Sequence, residues 1–192
     1  MFTLFETLCI KNGIIENVNY HQIRYEQSLK KLYSKKSYRK FDLKKIIEKA
    51  TALTPLPQAE IVRCRINYSN SNYEIQFFPY QQKVYRSFKP VICDEIDYSL
   101  KYCHRDLLNQ LLEKKGDCDE IIIIKKGRVT DCSIGNLIFR RGKDWFTPDT
   151  PLLEGTQRAK LLAENKIKSC SISVEDIAKF DEIRLINALN GL

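Results

Sequence analysis

Residues 120–148, EIIIIKKGRVTDCSIGNLIFRRGKDWFTP, restrict the fold more than any other stretch. Short β-branched and aromatic runs are cut by Lys-Lys-Gly-Arg and again by Gly142, which is the punctuation of antiparallel strands. The stretch predicts a meander: strand, KKGR turn, strand, Gly142 turn, strand. Its longest apolar run, Ile121–Ile124, is four residues, far short of the roughly 20 that cross a bilayer. Such a sheet needs its apolar faces covered, and the flanking sequence offers helices to do it.

The chain opens with FTLFETLCI, which reads as a strand, and Asn12-Gly13 is the strongest two-residue hairpin signal, with IIENV as the return strand. Asn19 is positioned to cap a helix over 20–34, with Tyr20, Ile23, Leu29 and Leu32 roughly on one side. Asp42 caps a second helix, in which Leu43, Ile46, Ile47, Ala50 and Leu53 follow a 3.6-residue period until Pro55 and Pro57 end it. AEIVRCRINY and NYEIQFFPY read as strands joined by SNSN. The basic segment 81–89 reads as a crossing, followed by a short PVICDEI strand and a helix over 106–114 that Asp106 caps and Gly116 stops. Beyond the meander come a helix at 156–165, a strand near 168–173, a short helical SVEDIAKF and the strand EIRLIN. The fold class is α+β, with a small N-terminal domain over 1–85 and a second domain over 86–192.

Composition narrows the function classes. The 192 residues carry a net charge of +8, and six of the eleven residues at 30–40, KKLYSKKSYRK, are basic, which raises a polyanion as partner. Cations also favour a helix C-terminus, and a solvated helix end is the preferred reading of that run, against a nucleic-acid partner. Seven cysteines stand singly, with no CxxC, and only two histidines could complete a metal site, so reduced thiols used as apolar filler are expected and no metal. No basic start, apolar stretch and small-residue cleavage site occur together at the N-terminus. A cytoplasmic protein with no membrane association is expected.

Four segments hold the chemistry: FETLCI with NYHQIRYEQSL; SLKYCHRDLLNQL; GRVTDCSIGNLIF running into WFTPDTPLLEGTQR; and DEIRLINAL. They supply an amine, Lys101, an acid on a strand, Asp131, an arginine near a helix start, and a Gly155-Thr156-Gln157 turn opening a helix. A helix N-terminus is an anion site, and Arg24 would add a charge-assisted partner for a phosphate. An amine and an acid flanking an aromatic ring are what pyridoxal phosphate requires: the amine joins the cofactor, and the acid keeps the pyridine nitrogen protonated so that the ring accepts electrons.

In order and wording these segments resemble the class IV aminotransferase family, the fold-type IV pyridoxal-phosphate enzymes. The most specific block is GRVTDCSIGNLIF, TP and L-x-G-x-x-R at 127–139, 147–148 and 153–158; FET, H-x-x-R and D-E-x-x-x-x-N-A support it. The resemblance implies a two-domain architecture with the cofactor between the domains, a small amino substrate and a homodimer. It assigns Lys101 as the lysine that carries the cofactor, Asp131 as the acid on the ring nitrogen, and Arg24, Gly155, Thr156, Gln157, Asn187 and Ala188 as the phosphate contacts. Phe5, Glu6, His104 and Arg105 fall on the substrate side, and His21 is structural.

Three departures stand out. Aspartate occupies the usual glutamate position, Cys9 stands where an arginine commonly follows FET, and the usual Asp-Arg-Gly turn and its strand do not precede FET. The chain also stops at NALNGL, as expected of a short member. The Lys-x-x-His-Arg context and small size favour 4-amino-4-deoxychorismate lyase, which expels pyruvate and leaves 4-aminobenzoate for folate synthesis. A branched-chain or D-amino acid aminotransferase is the alternative. A further alternative is an inactive scaffold that binds polyanions.

Overall fold

The structure, a computed structural model, describes residues 2–192. The chain divides into two compact units that are not consecutive halves: one runs through Gln82 and adds Leu100–His104, and the other comprises Lys83–Ser99 and Arg105–Leu192.

The first unit is a four-stranded antiparallel sheet with two helices. β1 (Leu4–Lys11) turns at Asn12 and Gly13, both at positive φ as a tight hairpin turn requires, into β2 (Ile14–Ile15). The expected IIENV strand shrinks to two residues because Asn17 adopts a left-handed conformation, φ 54°, and starts α1 (Val18–Leu32). The helix therefore begins earlier than position 20, and Asn17, not Asn19, holds the cap position, with no side-chain cap bond. α2 (Leu43–Leu53) is capped as its sequence predicts, Asp42 accepting from the Lys45 amide at 3.0 Å. β3 (Ile61–Tyr68) and β4 (Tyr73–Pro79) complete the order β2-β1-β3-β4. Leu4, Leu8 and Ile10 pack with Tyr25, Leu29, Leu43, Ile47 and the inward residues of β3. Leu100 joins this core, while the Phe5 amide donates to the Lys101 carbonyl and the Cys103 amide to that of Thr3, both at 2.9 Å. Those bonds fix Lys101 beside the first residues of β1.

The second unit has two sheets. β5 (Phe88–Ile92) runs parallel to β6 (Glu120–Lys125), which pairs antiparallel with β7 (Arg128–Val129). β8 (Asn136–Arg141) pairs antiparallel with β9 (Asp144–Pro148) and with β11 (Glu182–Ile186), and β10 (Lys168–Cys170) runs parallel to β9. The expected single meander is thus split. After Val129 the Ile123 amide still donates to the Asp131 carbonyl, but the Cys132 amide then closes on Gly135, at 3.0 Å, and the chain turns out of the first ladder into the second. α3 (Asp106–Glu113) starts one residue off expectation: Arg105 holds the cap position and Asp106 lies in the first turn. α4 (Thr156–Ala163) and a single 3-10 turn at Ile177–Lys179 complete the unit. The strand expected over PVICDEI begins earlier, at Phe88, and ends at Ile92.

Among the described residues no helix is long and apolar enough to cross a membrane, and no group of three His, Cys, Asp or Glu side chains could hold a metal ion. All seven cysteines are free thiols, four of them buried.

Candidate active site

In the first unit, alternation along β1 turns Leu4, Glu6, Leu8 and Ile10 to the helices. Glu6 is therefore a carboxylate inside an apolar core, with no exposed surface. Burial alone would drive it neutral, so it needs a cation and hydrogen-bond donors. The H-x-x-R spacing supplies them, since residues three apart share a helix face. His21 Nδ1 lies 2.7 Å from Glu6 Oε2, and Arg24 grips both oxygens, Nε to Oε1 at 2.9 Å and Nη2 to Oε2 at 2.5 Å. Burial pulls the Glu6 acid upward, but Arg24 and His21 more than offset it and hold the carboxyl at about 2. Burial also lowers His21 below its ordinary range against the pull of Glu6, so the imidazole is neutral at neutral pH and Nδ1 carries the hydrogen donated to Glu6.

Glu6 was expected on the substrate side; its complete burial makes it a residue that orients Arg24. Phe5, its neighbour on the opposite face, is 3 % exposed and has the Lys101 ammonium 4.7 Å from its ring centre. His104 is exposed. The basic stretch 30–40 begins as the last turn of α1, where Lys30 and Lys31 meet the helix C-terminus, and Lys40 is paired with Glu26 at 2.9 Å.

In the second unit, Asp131 sits where the chain leaves the first sheet, 5 % exposed. Oδ1 accepts from Asn136 Nδ2 at 2.8 Å and Oδ2 from the Leu153 amide at 2.9 Å. Burial pushes its carboxyl up to about 7, against the opposing pull of those donors. Asn136 also donates to the Leu153 carbonyl at 3.0 Å, tying the 153–155 loop to the acid. A Cβ at Gly155 would stand 1.8 Å from Asn136 Oδ1, so only glycine lets the loop approach this closely. The glycine and asparagine of the GRVTDCSIGN and L-x-G-x-x-R blocks are thus two sides of one contact.

α4 opens at Thr156 with Gly155 at the cap position and no side-chain cap bond. Arg158 turns into the protein: Nη2 donates to the Pro148 carbonyl at 2.9 Å, Nη1 to Glu154 at 3.0 Å and Nε to Thr147 at 3.3 Å, clamping α4 to β9. A phosphate here would rely on backbone amides. Asn187 Oδ1 accepts from the amides of Leu189 and Asn190, at 2.9 and 3.0 Å, and so shapes the turn through Ala188. That turn lies beside α4, for a Cβ at Gly191 would be 3.6 Å from Gln157 Nε2. Arg105 donates Nη2 to the Ser133 carbonyl at 2.8 Å, and Ser133 is in turn held by buried Glu120, Oγ to Oε2 at 2.7 Å.

The structure thus gathers Phe5, Glu6, Arg24 and Lys101 in the first unit, and Asp131, Gly155, Thr156, Gln157, Asn187 and Ala188 in the second. The donor set suits pyridoxal phosphate. A carboxylate has about four lone-pair positions, and the amide donors of Asn136, Leu152 and Leu153 leave room on Asp131 for a further N–H. Arginine, the backbone amides of a helix start and a shaped turn are phosphate chemistry.

The amino-transferase class IV family model matches residues 98–192. An uncharacterized protein of Haemophilus influenzae is 58 % identical over the full length of both chains. A crystal structure from Haemophilus somnus 129PT, provisionally named a 4-amino-4-deoxychorismate lyase, is 60 % identical, with TM-score 0.95 over 100 % of this chain and 98 % of that one. A Mesorhizobium loti protein provisionally named an amino-acid aminotransferase shares the fold at TM-score 0.81 and 21 % identity, over 100 % and 97 % of the two chains. A Mycobacterium tuberculosis aminotransferase-like protein in a pyridoxal-phosphate-bound form does so at TM-score 0.72 and 14 % identity, over 99 % and 78 %. The family matched is one of enzymes that depend on pyridoxal phosphate. The chain belongs to the class IV aminotransferase family.

Proposed function

We propose that this protein is a pyridoxal-phosphate enzyme acting as a 4-amino-4-deoxychorismate lyase. The observation that carries the reading is the 60 % identity, over nearly the whole of both chains, to the protein provisionally given that name. Lys101 is the amine that joins the cofactor. Arg24, the start of α4 at Thr156 and Gln157, and the Asn187–Ala188 turn hold its phosphate, and Asp131 accepts the N–H of its ring. When bound, the cofactor supplies an electron sink for the pair left behind when a C–H bond beside the substrate amine is broken.

The chain's own residues do the rest. Lys101 Nζ takes the proton from the carbon bearing the substrate amine, as a general base. Glu6, through its fork on Arg24, keeps that arginine from swinging away. Loss of the proton and cleavage of the ring C–O bond release enolpyruvate, which takes up a proton and tautomerises to pyruvate, and leave 4-aminobenzoate, whose aromatisation drives the step. The working assembly is a homodimer, to be checked by sedimentation.

The test is an absorption spectrum with added pyridoxal phosphate, beside Lys101→Ala, followed by a pyruvate assay with no oxo-acid acceptor. A lysine-dependent band fixed by borohydride, with pyruvate released from 4-amino-4-deoxychorismate, is the expected result. A band without pyruvate, and turnover only when an oxo acid is supplied, would make the protein an aminotransferase, the reading that its likeness to the Mesorhizobium loti protein keeps in view. No band in either protein sinks both.

A further inference from the structure

We infer that Arg65 is the residue that binds a substrate carboxylate beside Lys101. The inference rests on Lys101 being the reacting amine and adds the group that selects what the amine meets. β1 and β3 pair so that Thr7 faces Arg65 and Cys9 faces Arg63, and the alternation of β3 turns Arg63 and Arg65 to the face opposite the helices. On that face the Arg65 guanidinium carbon lies 3.9 Å from the centre of the Phe5 ring, and the Lys101 ammonium lies 4.7 Å from the same centre. One aromatic ring thus carries two cations, which stand within about 9 Å of each other by those two distances.

Two like charges gathered at one ring repel, and an acid would ordinarily be found nearby to offset them. Among the described residues neither Arg65 nor Arg63 forms an ion pair with any carboxylate. Arg65 Nε donates to the neutral amide oxygen of Asn67 at 2.8 Å, and the Cys103 thiol lies against the same guanidinium. Asn67 in turn donates to Glu74 at 3.2 Å, so that acid touches the amide and not the arginine. The bond through Nε fixes the plane of the guanidinium, and a planar fork held in place is the partner that suits a carboxylate. Arg63 is set differently: its Nε is buried without a hydrogen-bond partner and its guanidinium stacks on Phe78, about 7 Å further along the strand. The β1 position where an arginine commonly follows FET is Cys9 here, so the neighbouring strand provides the positive charge of this sheet face.

The ligand class follows: an anionic carboxylate carried on the same small molecule as the amine. Binding is measured by calorimetry with 4-aminobenzoate and with 4-aminobenzamide, which keeps the ring and loses the charge. The wild type is expected to prefer the benzoate by about tenfold to hundredfold, the worth of a charge-assisted bidentate contact. Arg65→Leu should bring that ratio close to one, and Arg65→Gln, which keeps an N–H for Asn67, should do the same. Arg63→Leu should leave the ratio high. With substrate, Arg65→Gln should raise KM by about tenfold or more with a far smaller change in kcat. A wild-type ratio surviving in folded Arg65→Gln protein overturns the inference. The lysine-dependent absorption band reports the cofactor reading separately: if it forms and the ratio survives, Arg65 alone is wrong, and if it never forms, the ratio in the cofactor-free protein still decides Arg65.

Discussion

Glu6 and Asp131 are both carboxylic acids withdrawn from water, one in each unit, and they respond in opposite directions. Glu6 is held at about 2 and Asp131 is raised to about 7. Burial is the largest influence on both and raises both, so burial does not distinguish them. The partners do. Glu6 is gripped by a guanidinium on two atoms, whereas the donors on Asp131 are the neutral amides of Asn136 and Leu153. The first acid completes its charge balance inside the protein. The second is shaped to accept hydrogen bonds, and among the described residues no cation forms an ion pair with it.

The strongest way to break the comparison is Glu6→Leu, which takes the buried carboxylate away from the Arg24 guanidinium. Loss of one partner from a buried ion pair should cost about 3–5 kcal/mol, read as a drop in the urea midpoint. Asp131→Asn should act in the other direction at neutral pH. A folded-state value raised above the ordinary 3.8 makes stability fall as pH climbs from about 4 to about 7, because the unfolded chain ionises freely and the folded one resists. The asparagine variant should lack that slope, worth up to about 4 kcal/mol at 1.36 per unit. Bound cofactor should shrink the slope in the wild type by giving Asp131 a cation.

Glu6 has the opposite sign. Its stability is present above the ordinary 4.5 and is lost as pH falls toward 2, a decline of about 3 kcal/mol that Glu6→Gln should remove from an acid titration followed by circular dichroism. Gly155→Ala should do least, about 1–3 kcal/mol of overpacking as its Cβ displaces Asn136. It sharpens the comparison because a displaced Asn136 also loosens its hydrogen bond to Asp131, so cofactor uptake should weaken along with the melting temperature.

Much of the fold is legible locally. The Asn12-Gly13 hairpin, the Asp42 cap, β3 and β4 each follow from residue type and period within a short window. The split of the 120–148 meander is not, because it depends on the Cys132 amide reaching Gly135 and on partners, β5 and β11, far off in sequence. The H-x-x-R spacing points to one helix face, yet that the face meets Glu6 is visible only once β1 packs under α1. Arg158 is a clamp of α4 on β9, a role that L-x-G-x-x-R does not reveal, since nothing in the block distinguishes an inward arginine from an outward one. Arg65, in RCR, reads as an ordinary outward strand residue; the signal that could have found it is its register opposite Thr7 on the FET strand.

The return of Leu100–His104 to the first unit sets an order of events during synthesis. The chain passes between its two units three times before residue 106, so the first unit cannot finish its sheet edge when Gln82 leaves the ribosome. It must wait for Leu100 to fill its core and for the Phe5 and Cys103 amides to find their carbonyls. Lys101 arrives in the same five residues, so the amine proposed to join the cofactor is put in place by the closure that completes the unit. A nascent or truncated chain ending before that point has Glu6 and its partners but no lysine to offer.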